Sequence, residues 1–331
     1  MKGRYAVAAG TGAAALVLGA CGGGGADEAS ATSFDIAVSN ATEPYSIPWL
    51  VGKEQGFFEK RGVRIGDIVP GKGGGTTIRN MLSGDLPIAD VGFTSVLESG
   101  EAGMPLTVVG GATQSVYGLD FYALDSNKRV RDVKDIRKWA YTNPQSVTRA
   151  LSFMLPEVAG ATQKIERTSS GGVGEGVALL EAGDVDVAVV PPSVVAKTDK
   201  FRVVVSSADH LKKFQQSVIT TTPEFAERNP DTVKAVVDGY AESVRYIRAK
   251  PGRAAKLYAD YVDIDTGSAK AVVDKAITYD NWSAGFDAEA IEQAVKAQRI
   301  AMDGKELEYC DLFRTEYLPQ DVSSTLPAEC E

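Results

Sequence analysis

Gly71-Lys72-Gly73-Gly74-Gly75-Thr76-Thr77-Ile78-Arg79-Asn80-Met81-Leu82-Ser83-Gly84-Asp85-Leu86-Pro87-Ile88-Ala89-Asp90-Val91 reads as a glycine loop, a helix, a turn and a strand. The pattern predicts a helix from Thr76 to Leu82, a turn at Ser83-Gly84-Asp85 and a strand through Ile88 to Val91. Just upstream, Phe34, Ile36 and Val38 alternate as a strand does. The chain then turns through Asn40 to Ser46. A helix opens with Pro48 in its first turn, carries Trp49, Leu50 and Val51, and stops at Gly56, before a second strand from Val63 to Val69. Strand, helix, strand in this order predicts an α/β lobe with a parallel sheet.

The same grammar returns downstream. Lys164 to Thr168 reads as a strand, Ser169 to Gly172 as a glycine-bearing loop and Val177 to Glu181 as a helix. Ala182-Gly183-Asp184 then turns into a strand over Val185 to Val190. The two stretches predict two lobes built on one plan. Phe201 to Val205 is a further strand, and Ser217 to Thr221 reads as a return crossing into the first lobe. Crossings near Gln114 to Tyr122 and Phe214 to Thr221 make a hinge. Helices follow from Asn229-Pro230 onward, around Ala254 to Tyr261, Ser268 to Tyr279 and Ala288 to Met302, and are expected to buttress the first lobe. The expected division is 34–116 with 218–331 as lobe I and 117–217 as lobe II.

At the start of the chain, Lys2 and Arg4 precede an apolar run that closes on Leu18-Gly19-Ala20-Cys21, a lipobox. The run is shorter than the roughly 20 apolar residues of a spanning helix, so it reads as a signal peptide over 1–20 that leaves Cys21 acylated. Residues 21–33, rich in Gly, Ala and Ser, read as a flexible tether. The expected location is extracytoplasmic, held to the cell membrane by lipid. A net charge of −9 makes nucleic acid a poor partner. Outside the reducing cytosol, Cys310 and Cys330 read as a disulfide pinning the tail, and the competing metal pair lacks a nearby histidine.

Much chemistry is missing. His210 is the only histidine and sits in the lysine-rich stretch Asp209 to Lys213, so no Ser/His/Asp triad, Cys/His pair or ordinary zinc site is available. Gly66 to Gly73 nearly spells a phosphate loop, but Gly73 stands where Ser or Thr would hold magnesium. The dinucleotide fingerprint fails at both glycine clusters. Neither cofactor nor metal is expected.

Ligands of open α/β lobes settle beyond the carboxyl ends of the strands, where helices begin. Four places meet that description. The first is Asn40 to Tyr45, with Glu43, Tyr45 and the nearby Trp49. The second is Gly74 to Thr77, with Gly75, Thr76 and Thr77, and the third is Phe93-Thr94-Ser95. The fourth, in the second lobe, joins Thr142 to Thr148 (Asn143, Ser146, Thr148) with Ser170 to Gly174 (Gly172). Small residues let a ligand approach the free N–H groups of a helix start and hydroxyls add donors, which suits an oxyanion. Three or four such bonds, each contributing about 1.5 to 3 kcal/mol, reach roughly micromolar affinity. Serine and threonine there also read as plain helix caps. Tyr117 and Tyr122, with Tyr45 and Trp49, are candidates to wall an organic body. Glu175 opposes an anion if it points inward and favours a ligand carrying an amine or an acidic N–H.

The stretch Pro48-Trp49-Leu50-Val51-Gly52-Lys53-Glu54-Gln55-Gly56-Phe57-Phe58-Glu59-Lys60-Arg61-Gly62-Val63 resembles the substrate-binding lipoproteins of ABC importers, of the nitrate, taurine and alkanesulfonate type. Gly74-Gly75 before a helix, Ser83-Gly84-Asp85, Ala182-Gly183-Asp184-Val185-Asp186 and Asn229-Pro230-Asp231-Thr232-Val233-Lys234 extend the resemblance over nearly all the mature chain. It implies a two-lobe periplasmic-binding-protein-like fold of type II that closes on a small molecule and delivers it to a permease driven by an ATPase, acting as a monomer. Many relatives carry Glu-Pro where this chain has Pro191-Pro192-Ser193, which weakens transfer of an acidic amine-binding residue to that position. The expected ligand is a small organic anion, a sulfonate such as taurine first; nitrate, an aromatic carboxylate and a thiamine-pyrimidine precursor are the alternatives. A pyrimidine-synthase-like enzyme and a purely structural lipoprotein are the rivals from other classes.

Overall fold

A computed structural model describes residues 32–39, 44–71, 73–84 and 86–331. The lipobox, Cys21, Glu43 and all of the tether but its last two residues lie outside them.

The described residues form ten strands: β1 Thr32–Val38, β2 Val63–Pro70, β3 Ile88–Gly92, β4 Thr107–Thr113, β5 Phe121–Leu124, β6 Lys138–Tyr141, β7 Glu166–Ser169, β8 Ala188–Val189, β9 Phe201–Val205 and β10 Ser217–Thr221. The first sheet has the order β2-β1-β3-β10-β4. Its first three strands are parallel, and β10 runs antiparallel between β3 and β4. That reversal is the geometric signature of a chain returning from elsewhere. β3, β4 and β10 are buried along their whole length, as strands covered on both faces are.

A second system consists of β8-β5-β9 and the parallel pair β6-β7, joined by a bridge between Trp139 and Val187. The strand expected over Val185 to Val190 shrinks to β8, and the one expected from Lys164 starts two residues later, as β7. Thr32 and Ser33, placed in the tether, instead pair with Val63 and Arg64 at the edge of the first sheet. Both turns of the repeated plan hold a left-handed glycine, Gly84 at φ 104° and Gly183 at φ 78°, a conformation that excludes most side chains.

Glycines also explain the Gly-Phe-Phe stretch. Phe58 is wedged between Gly52 of the helix Ile47–Glu54 and Gly239 of the helix Pro230–Ala249, and a Cβ at either glycine would strike its ring. Trp49 stacks on Phe58 at 5.7 Å and tilts against Tyr240 at 4.9 Å. Of the C-terminal helices, Pro230–Ala249 packs on β2 and β4 of the first sheet, but Ala288–Ala301 does more. It packs on both Phe93–Glu101 of the first system and Val147–Val158 of the second. Gln298 donates to Glu98 at 3.0 Å and Arg149 donates to the Ala301 carbonyl at 2.8 Å. The two sheet systems belong to one compact unit.

Candidate functional site

Between the sheets lies a cavity of about 340 Å³, within the span of small-molecule sites. Its walls are the carboxyl ends of strands from both systems. Ser39 follows β1, Pro70 ends β2 with Gly73 and Gly74 beyond it, Gly92 ends β3, Thr142 follows β6, Gly172 follows β7 and Pro191 follows β8. Leu119, Gln216 and Ser217, from the two crossings, complete it.

Four helices of eight residues or more begin at this cavity: Gly74–Leu82, Phe93–Glu101, Val147–Val158 and Val173–Ala182. Their first-turn N–H groups have no acceptor within the helix, and each start carries roughly half a positive charge. The first three have no acidic residue in the first turn; the fourth has Glu175, whose carboxylate folds back over Gly172. Glu175 is exposed at the cavity rim and, among the described residues, is the one charged residue lining it.

Several hydroxyls have local duties. Ser146 caps its helix by accepting from Arg149 N at 3.2 Å and donates to the Asn143 carbonyl at 2.7 Å. Thr148 Oγ1 accepts from Thr142 N at 2.9 Å and lies 2.9 Å from both Thr142 Oγ1 and Ser146 Oγ. Gly92 N donates to Ser39 Oγ at 3.3 Å, and Ser95 Oγ donates to the Gln145 carbonyl.

Of the residues singled out in the sequence, Tyr45, Ser95, Ser146, Thr148, Gly172 and Glu175 line the cavity. The others among the described residues are placed elsewhere. Trp49 is fully buried in the core and donates to Asp90. Phe93 is buried against Phe313, with ring centroids 5.9 Å apart. Tyr117 stacks on Tyr279 at 5.4 Å, and Tyr122 packs in the core of the second system. Thr77 bonds back to the Gly73 carbonyl, while neither Thr94, also buried, nor Thr76 lines the cavity. Gly75 and Asn143 meet residues of the opposite sheet system, Gln145 and Gly73 respectively. The aromatic wall therefore reduces to Tyr45, because the larger rings are consumed by packing.

Sequence reading missed Ser39, Leu119, Ser193, Gln216 and Ser217. The signal for the last two was present: a crossing between two lobes must pass the floor of the cleft. Pro191-Pro192-Ser193, in sequence a departure from relatives, supplies Pro191 and Ser193 to the lining.

No group of His, Cys, Asp and Glu able to hold a metal occurs among the described residues. Burial pushes Asp90 up to about 6, partly offset by the Ser217 side chain and the Trp49 N–H, and pushes Asp120 in the first crossing up to about 6 against the opposing bond from Ser207 N. Neither lines the cavity.

The fold is shared with solved proteins of low identity. The periplasmic aliphatic sulphonate binding protein SsuA from Escherichia coli is 16% identical, with TM-score 0.62 over 88% of this chain and 95% of that one. The periplasmic nitrate-binding protein NrtA from Synechocystis PCC 6803 is 13% identical, with TM-score 0.61 over 72% and 68%. The desulfurization enzyme DszB is 16% identical, with TM-score 0.59 over 86% and 97%. This is the periplasmic-binding-protein fold, and it hosts an enzyme as well as binders. No curated protein matches the sequence. The profile of the family described as NMT1/THI5 like matches residues 43–254, more than half of the chain, and the protein belongs to that family.

Proposed function

We propose that this extracytoplasmic solute-binding protein of ABC import type takes a small organic anion between two lobes, 34–116 with 218–331 and 117–217, and delivers it to a permease. The observation that carries the reading is the convergence of four helix starts on one cavity whose lining, among the described residues, holds no lysine, arginine or histidine. In such a site the oxyanion is gripped by N–H groups and helix dipoles, without a counter-charge to desolvate. Tyr45, Leu119 and Val147 would cover the apolar part.

A sulfonate, taurine-like, is the first expectation. Glu175 at the rim supports a ligand with an N–H donor opposite its anionic end, which places nitrate and simple carboxylates behind aminosulfonates and pyrimidine precursors. Catalysis is the weaker reading, since the lining offers neither histidine nor cysteine as base or nucleophile. The proposal includes the leader over 1–20, the lipid on Cys21, a monomeric state and a disulfide between Cys310 and Cys330, whose Cα atoms stand 5.0 Å apart. A thermal-shift panel of sulfonates, nitrate, aromatic carboxylates and pyrimidines tests the ligand class. Stabilisation by at least one anion is expected; a panel in which no anion raises the melting temperature refutes the anion reading.

A further inference from the structure

Asn143-Pro144-Gln145, between β6 and the helix Val147–Val158, reaches across the cleft and seats on the opposite sheet system. The Gln145 carbonyl accepts from Ser95 Oγ, its side chain lies over Gly75, and Asn143 Nδ2 lies against Gly73. Beside them, Val147 Cγ2 comes within 3.0 Å of where a Cβ on Gly92 would stand. We propose that residues 143–145 are a latch that holds the cleft shut by seating on a strip of glycines of the opposite sheet system, and that Gln145 is its positioning residue. The inference rests on reading the cavity as a solute site.

Gly75 carries the argument. It lies in the first turn of a helix, where glycine weakens the helix relative to alanine, and its backbone is not in the left-handed region that would require glycine. What the missing side chain makes room for is Gln145: a Cβ at position 75 would strike the carboxamide oxygen. Neither Gly75, Asn143 nor Gln145 lines the cavity, so the latch closes beside the solute and leaves the volume free. Proline at 144 holds Asn143 extended and limits the shapes the segment samples when open. The grip is also reversible. Asn143 Nδ2 is buried without a hydrogen-bond partner, so opening returns a bond to water and offsets part of what closure gains.

The geometry offers a direct test. An ideal Cβ on Gly75 stands 3.5 Å from the Gln145 Cβ, within the Cβ separation of disulfides. The full chain carrying Gly75→Cys and Gln145→Cys, purified in detergent without added solute, is expected to form the 75–145 cross-link in most molecules on air oxidation, read by alkylation and peptide mass. Two free thiols at these positions in a folded protein would overturn the latch. Should that variant not fold, Gly75→Ala provides the second measurement. It is expected to speed amide exchange at Asn143, at residues 145–147 and at residues 92–95 at least tenfold while leaving Met81 and Leu82 unchanged; unchanged exchange in the loop overturns the proposal equally. A latch that fails while an anion still stabilises the protein leaves the ligand reading standing, and the converse result separates them the other way.

Discussion

Trp49 donates its indole N–H to Asp90 at 2.7 Å, both side chains fully buried between the first sheet and its covering helices. A tryptophan beside the first loop, read in the sequence as a wall for the ligand, is thus a hydrogen-bond partner of a fully buried carboxyl. A group in this position shapes the pH dependence of the fold.

Folded Asp90 keeps its proton up to about pH 6, whereas an ordinary aspartate loses it near 3.8. The protonated form favours the fold, so the stability from this group is fully present below about pH 4 and is lost as pH rises through 6. Asp120 acts in the same direction. Asp209, held low by the Tyr279 hydroxyl, and Asp265, held low by Ser268, oppose it at the acid end. The melting temperature is therefore expected to rise between pH 8 and about 5 and to fall below about 4. Asp90→Asn, which keeps an acceptor for Trp49, should flatten the upper slope and stabilise by about 2 kcal/mol at pH 7.5. An unchanged slope in melts from pH 5 to 8 would contradict this assignment.

Phe58 fills the notch between Gly52 and Gly239. Gly239→Ala gains helix propensity but drives a methyl into a fully buried ring, and overpacking of this kind costs about 1 to 3 kcal/mol. Urea denaturation should show that loss, and Phe58→Leu in the same chain should recover part of it. Purely additive effects would remove the notch as the reason for these glycines.

Cys310 and Cys330 are separated by 20 positions, and a loop of that length stabilises by about 3 kcal/mol when closed. Treatment with a reductant, or Cys310→Ser with Cys330→Ser, is expected to lower the melting temperature without abolishing ligand binding. Equal stability with and without reductant would mean that the pair is not bridged in solution.

The alternation at Phe34 to Val38, the helix opened by Pro48 and the turns at Gly84 and Gly183 were legible because each rests on local chemistry: burial period, proline geometry, left-handed backbone. The loops at Gly74, Ser95, Ser146 and Gly172 were legible as well, because helices that follow parallel strands put their starts at one edge. What each side chain does there was not. Trp49, Phe93 and Tyr117 were drawn off by partners distant in sequence, Asp90, Phe313 and Tyr279. Gly75 looked like an opening for a ligand, but its space is filled by Gln145 from the opposite side of the cleft. Contacts of that kind leave no local trace.

Calorimetric titration of the protein with taurine, an alkanesulfonate and the matching uncharged alcohol bears most directly on a cavity that grips an anion through helix starts. A sulfonate is expected to bind with roughly micromolar affinity, about −8 kcal/mol, the alcohol not at all, and Val194→Trp, which fills the cavity from its rim, should abolish the heat while leaving the ligand-free melt in place. Equal binding of the alcohol, or full sulfonate binding by the Val194→Trp protein, would contradict it.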